Sequence, residues 1–422
     1  MTYEMGSLTQ IFEVFAHFIV PPKQPKIQAF ARHKPMTPVP YSGNGSEPYV
    51  SIAIFAWNEE RAIPATLESL FQQSLFEKLQ QRGLRSEVIC VTNGCTDRTP
   101  EVAAEVFDRQ IKHHPGADSF SARVAEVPER GKVNAWNQFV HMQSSRSARF
   151  LFMMDADILI HRVDTLWNMV QTLEKDPRAH IAVDRPCKHL EFKERKSVRD
   201  RLSLAAAQST LSADAQLCGQ LYCMRAEVAR SIYLPKDLAA CEDGFIKAMV
   251  CTDLLAHEVW PDRIRVAENA AHTFEAYTSP AAILKNQKRQ IIGQTIVHIL
   301  VDKYLKELPI QDRKNLVETL KSREAKDPAW LKRLIRDHLQ NTRYFWQIHP
   351  DLLGLRFKRL SHMRPMRRVT GFPAAAIGAF ASLLASFLAY RTLKAGCTNY
   401  WPKASRGGLG GADALAGSAT NG

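Results

Sequence analysis

Two aspartates separated by one small residue, Asp155 and Asp157, interrupt the apolar run RFLFMMDADILI at residues 149–160. Carboxylate oxygens are hard ligands. A pair of them at a strand end suits a divalent cation such as Mg2+ or Mn2+, which is usually shared between protein carboxylates and the phosphates of a substrate. The alternative is that the two face water and cap a helix that begins near Val163, since aspartate is common where strands end.

The surrounding pattern says what must hold these carboxylates. YVSIAIFA (49–56), SEVICVT (86–92), ARVAEV (122–127) and the run ending in Asp155 read as strands. Helical stretches separate them, with Leu67, Leu70 and Phe71 on one side of the first, a second from about Thr99 to His113, and a third opening at GKVNAWNQFV (131–140). Strands alternating with helices predict an α/β fold whose mostly parallel sheet is covered on both faces. Ligands of such sheets sit beyond the carboxyl ends of the strands, where Asp155 and Asp157 fall.

The 422 residues, 45% hydrophobic and 23% charged, are ample for one large domain or two smaller ones. A formal charge of +13 draws the chain to something anionic. Eight scattered cysteines with no CxxC pair read as reduced, mostly buried thiols of a cytosolic domain rather than a metal or disulfide framework.

Seven short motifs follow one another in a recognisable order: SIAIFAWNEE (51–60), VTNGCTDRT (91–99), GKVNAWN (131–137), MDADI (154–158), GQLYCMR (219–225), CEDGF (241–245) and NQKRQIIG (286–293). In this order the chain resembles family 2 glycosyltransferases of the GT-A (Rossmann-like) fold, over residues 49 to about 295. The resemblance implies an inverting transferase that moves a sugar from a nucleotide-sugar, a UDP-sugar first, to a hydroxyl acceptor. It implies that Glu59 lies in the wall of the nucleotide pocket near ribose or base; alternatively Glu59 and Glu60 serve the dipole at a helix start. Asn93 stands where the family usually has an acidic residue that contacts the base, and an amide can still hydrogen-bond a base edge. Asp97 then caps the helix near Thr99. Lys132, at a helix start beside Gly131, faces the nucleotide or diphosphate, or is an ordinary surface lysine.

By the same resemblance Asp155 belongs to the ribose or metal shell and Asp157 ligates the metal directly, with Mg2+ or Mn2+ as cofactor. Asp243 is the catalytic base that takes the proton of the acceptor hydroxyl, and Glu242 orients that hydroxyl. Read in isolation, the two acids are an acidic first turn on the helix GFIKAMV. GQLYCMR forms an acceptor-side loop, with Gly219 and Arg225 placed there and Arg225 reaching a phosphate or carboxylate. Processive members carry Gln-x-x-Arg-Trp, whereas NQKRQ (286–290) keeps Arg289 for the diphosphate and lacks the tryptophan. Transfer of one or a few sugars follows, rather than polymerisation.

Outside the catalytic region, 49–300, residues 1–48 read as an amphipathic helix with Leu8, Ile11, Phe12 and Phe15 at helical spacing, then a proline-rich connector. Residues 301–368 read as a helical, basic extension. The uncharged stretch 369–390 is long enough to cross a bilayer, and re-entrant or buried arrangements compete with a span. Residues 391–422 read as a disordered tail of small and polar residues. The basic stretches at 185–201 and 355–368 point to an anionic membrane surface and a cytoplasmic catalytic domain at the cell membrane, with an acceptor that is lipid-linked or part of a surface saccharide. No interleaved aromatics or recognised module point to nucleic acid. Two other classes compete. A sugar-1-phosphate nucleotidyltransferase should open with a glycine-rich phosphate loop, which FAWNEE lacks. A catalytically inactive, membrane-associated sugar-nucleotide-binding protein should have lost the acids, and Asp155, Asp157 and Asp243 are all present.

Overall fold

The computed structural model describes residues 47–192, 196–197, 217–238, 241–277, 279–348 and 365–398, with side chains of the last segment from 378. The expected N-terminal helix and connector up to 46, the tail beyond 398, and parts of the basic stretches 185–201 and 355–368 lie outside them.

Among the described residues the strands are β1 (Pro48–Ala56), β2 (Arg85–Asn93), β3 (Phe120–Val127), β4 (Phe150–Asp155), β5 (Ile158–Ile160), β6 (Ile181–Lys188), β7 (Leu221–Arg225) and β8 (Ile264–Phe274). They form one sheet in the order β3-β2-β1-β4-β7-β6-β8-β5. The β3-β2-β1-β4 half is parallel, and β7 runs antiparallel to both β4 and β6. This is the α/β, GT-A-like arrangement with a mostly parallel sheet.

The helices are α1 (Ile63–Phe71), α2 (Leu75–Gln81), α3 (Thr99–His113), α4 (Lys132–Gln138), α5 (Thr165–Lys175), α6 (Ala226–Arg230), α7 (Glu242–Cys251), α8 (Pro280–Lys303), α9 (Ile310–Lys314), α10 (Leu316–Lys326), α11 (Trp330–Gln340) and α12 (Pro365–Lys394). Side chains of a strand alternate between faces, so a strand covered on both must be apolar throughout. β1 shows this. Ala53 and Phe55 join the apolar cluster that holds Trp136 of α4, Phe245 of α7 and Ile292 of α8. Ile52 and Ile54 join the opposite cluster, with Leu67 of α1, Phe107 of α3 and Val170 of α5. Leu320 of α10, Ile335 of α11 and Ala389 of α12 belong to the first cluster, so the C-terminal helices share the core of the sheet.

Two expectations are corrected here. GQLYCMR is not an acceptor loop: only Gly219 and Gln220 turn, and the rest is β7. The span expected at 369–390 is not supported: no helix among the described residues is long and apolar enough to cross a membrane. Its small residues decide this. Ser382, Ala385, Ser386, Ala389 and Leu393 form a buried stripe along α12, which lies on α8. The Ser382 and Ser386 hydroxyls donate to the carbonyls of Gly378 and Ser382, four residues back in the same helix. One side of the helix from Ser382 to Leu393 is thus already covered by protein.

Candidate active site

The carboxyl ends of β1, β2 and β4 meet the N-termini of α4 and α7 and the turn before β7. The run RFLFMMDADILI breaks at this point. β4 ends at Asp155, Ala156 donates its N–H to Phe55 O (3.3 Å) and accepts from Thr66 Oγ1 (2.8 Å), and Ile158 starts a new strand at the sheet's far edge. Asp155 and Asp157 flank that pinned turn, both half-buried. The Asp155 N–H donates to Gln220 O at 2.8 Å, which fastens the turn before β7 to the end of β4.

Lys132 is the hub. Its Nζ lies 2.6 Å from Asp155 Oδ1, 3.0 Å from Glu242 Oε1 and 2.8 Å from Gly219 O. Its side chain is 15% exposed and that of Glu242 only 5%. Burial works against the Lys132 charge, but Asp155 and Glu242 override it and raise its pKa. Burial would raise Glu242 as well; the Lys132 ammonium outweighs that and, with Arg289 of α8 adding a smaller effect, holds the carboxyl below its usual range. Asp243 goes the other way. Burial, reinforced by the Glu242 charge, lifts it above the usual carboxylate range. Two neighbouring acids pushed apart in this way divide naturally into a permanent anion and a proton acceptor.

Gly219 leaves room for both acids. A Cβ there would lie 3.2 Å from Glu242 Oε1 and 3.6 Å from Asp243 Oδ2. The Asp243 carboxylate accepts the Gly244 N–H at 2.7 Å, in the first turn of α7, where the helix dipole favours negative charge.

The structure thus gathers Lys132, Asp155, Glu242, Asp243, Gly219 and Arg289. Glu59 lies after β1, half-buried, and its N–H donates to Thr99 Oγ1 at 2.8 Å. Asp97 accepts from the Thr99 N–H, as its capping role requires.

Two residues depart from expectation. Asn93 does not offer a free amide to a base: Nδ2 donates to Ala56 O (2.8 Å) and Oδ1 accepts the Gly131 N–H (3.0 Å), so it fastens β1 to the start of α4. Arg225 is not at the acceptor side. It pairs with Phe150 at the opposite end of β4, five residues or about 17 Å from Asp155. There its guanidinium, in a residue 5% exposed, donates to the carbonyls of Ala179, Leu173 and Asp176. Leu173 is in the last turn of α5, whose carbonyls lack helical partners.

Other features were not foreseen. The Arg130 guanidinium lies 3.5 Å from the centroid of the Trp57 ring, just after β1. Asn58, at φ 53°, exchanges hydrogen bonds with Thr96, its amide donating to Oγ1 and its carbonyl accepting the N–H, which ties together the loops after β1 and β2. Behind Gln220, His272 is fully buried with Nδ1 2.8 Å from Asp184; burial opposes its charge, but Asp184 prevails and lifts it to about 10. Sequence held a signal for Trp57, an aromatic directly after a strand, and none for the His272–Asp184 pairing.

Residues 51–226 match the model of glycosyl transferase family 2. This segment is a family 2 glycosyltransferase domain. Solved structures similar to the chain include S. aureus TarS 1–349 (12% identity, 82% of this chain and 91% of that one, TM-score 0.40). Another is M. tuberculosis glucosyl-3-phosphoglycerate synthase in complex with Mn2+ and uridine-diphosphate-glucose (17% identity, 58% and 77%, TM-score 0.38). Both likenesses are loose. No curated protein matches the chain. The match ends at the start of α6, and Glu242, Asp243 and Arg289 lie beyond it.

The carboxylates also bear on a metal ion. Asp155 and Asp157 are hard oxygen donors, and no cluster of three or more His, Cys, Asp or Glu side chains among the described residues is placed to hold a metal by itself. This donor set fits Mg2+ or Mn2+ shared with substrate phosphates, not a cage made wholly of protein.

Proposed function

We propose that the transferase domain moves a sugar, with inversion, from a nucleotide-sugar to a hydroxyl acceptor, and that Asp243 is its base. The observation that carries this reading is the divergence of Glu242 and Asp243. Lys132 neutralises Glu242, so Glu242 stays ionised and positions the N-terminus of α7. Asp243, raised by burial and by its neighbour, has the greater proton affinity and a carboxylate that can accept the acceptor's hydroxyl proton as the oxygen attacks the anomeric carbon. The bond to the diphosphate breaks on the opposite face of the sugar. Lys132 and Arg289 supply positive charge on the side where the diphosphate leaves. A cation held by Asp155 and Asp157 would, when bound, neutralise the same diphosphate.

Charge bears on the acceptor. A lipid-linked or surface-saccharide acceptor presented at an anionic membrane suits the basic C-terminal third, and the catalytic domain would then work at the cytoplasmic face.

The test is Asp243→Asn, assayed with a panel of nucleotide-sugars. The amide keeps the shape and can still accept the Gly244 N–H, so nucleotide affinity should stay near wild type while turnover falls by about 100-fold or more. Affinity and turnover falling together would make Asp243 a donor ligand or a structural residue. Chelation of divalent cations should abolish transfer, and full activity in chelator would remove the cation from the reading.

A further inference from the structure

The covered stripe of α12 has an opposite. Phe380, Leu384 and Phe387, spaced four and three residues apart, lie on one side of the helix, 71%, 40% and 41% exposed. Tyr344 and Trp346, each 39% exposed, stack at 4.6 Å beside them, and the Phe345 ring meets Phe387 edge-on at 5.5 Å, joining the loop to the helix in one patch. A surface of this kind on a globular protein marks a place of interaction.

Its rim is basic. Arg343 lies over the Tyr344 ring at 5.3 Å, Arg391 over Phe387 at 5.9 Å and Lys394 over Tyr390 at 5.5 Å. The sequence from 341 to 398 contains nine lysines and arginines and one acid, Asp351.

We infer that this patch docks the protein onto an anionic lipid bilayer without crossing it. The chemistry selects that partner. The Phe and Leu side chains are suited to hydrocarbon, Tyr and Trp to the headgroup level, and the arginines and lysine to lipid phosphates around them. A helix covered on one side and apolar on the other lies in the interface plane, with its apolar face roughly 5–10 Å deep. A second copy of the chain would bring two basic rims together. Nucleic acid would use the Tyr344–Trp346 stack and the cations but leave the Phe380–Leu384–Phe387 stripe in water. Docking rests on the proposed transfer only for its purpose, which is to hold Asp243 near an acceptor in the membrane.

The full-length protein is sedimented with vesicles of phosphatidylcholine alone and of phosphatidylcholine with phosphatidylglycerol, beside a Phe380→Asp/Leu384→Asp variant and an Arg391→Gln/Lys394→Gln variant. Wild type should partition onto the anionic vesicles, and the aspartate variant should bind them at least about tenfold more weakly. The glutamine variant should lose most of the preference for anionic over neutral lipid. Circular dichroism and nucleotide binding should be unchanged in both. If nucleotide binding is absent from wild type while lipid binding follows this pattern, the transfer reading fails and the docking surface stands. Wild type left in the supernatant, or an aspartate variant that binds as well as wild type, overturns the docking. So does a dimer in light scattering that the aspartate variant dissolves, or retention of duplex DNA in place of vesicles.

Discussion

Lys132 and Arg225 are two largely covered cations near opposite ends of β4, and they have opposite fates. Lys132 stands beyond the carboxyl end of β4, held by two carboxylates and one carbonyl. Arg225 stands beside the start of β4, held by three carbonyls with no carboxylate among them. A guanidinium whose Nε and Nη2 donate to carbonyls around a helix end is fixed in geometry by backbone groups, so it serves the fold. An ammonium between two acids belongs to a charge cluster that an incoming diphosphate or a cation can rearrange. Burial and positive charge are therefore poor signs of function alone; the partners decide.

The largest effect is expected at Lys132. Lys132→Met leaves Glu242 ionisable and buried with its nearest cation gone, and removing one member of such a cluster costs about 3–5 kcal/mol. Both thermal stability and turnover should drop, and denaturant titration beside donor-binding assays separates the two. A stable, fully active variant would show that the cluster is incidental.

Arg225→Met tests the other side. The carbonyls of Leu173, Asp176 and Ala179 lose their donor, a loss of about 2–3 kcal/mol if water does not enter. Here kcat/KM per folded molecule should equal wild type. A kinetic defect in the fully folded fraction would return Arg225 to the site.

The smallest effect sharpens the picture within the site. In its proposed role Asp243 acts as base only when deprotonated, so activity should fall as pH drops through its raised pKa. Glu242→Gln removes one of the charges that raise it and leaves the Lys132 charge to act on Asp243 more strongly. The acidic limb of the kcat/KM profile should therefore move to lower pH. A limb that stays in place would mean that the two acids do not sense each other.

Legibility followed the range of the interactions. The strands β1 to β4, the starts of α4 and α7, and the position of Asp155 at a strand end were readable, because apolar periodicity and local turn chemistry act over a few residues. The roles of Asn93 and Arg225 are not legible in sequence because their side chains are used by backbone groups distant along the chain: Ala56 and Gly131 for one, Leu173 and Ala179 for the other. The length and apolarity of 369–390 do not reveal that a stripe of serine and alanine fits against α8.

The sequence by itself determined the alternation of strand and helix, the excess of positive charge, and the inventory of acids from which a base and a metal pair can be drawn. Tertiary structure alone decided that Lys132 meets Glu242 and Asp155, that Glu242 and Asp243 are driven apart in proton affinity, and that only one side of α12 is left exposed. The physical reason is that charge pairing and burial are properties of a neighbourhood. The sheet order that brings the ends of β4 and α7 together sets that neighbourhood, and no short window of residues contains it.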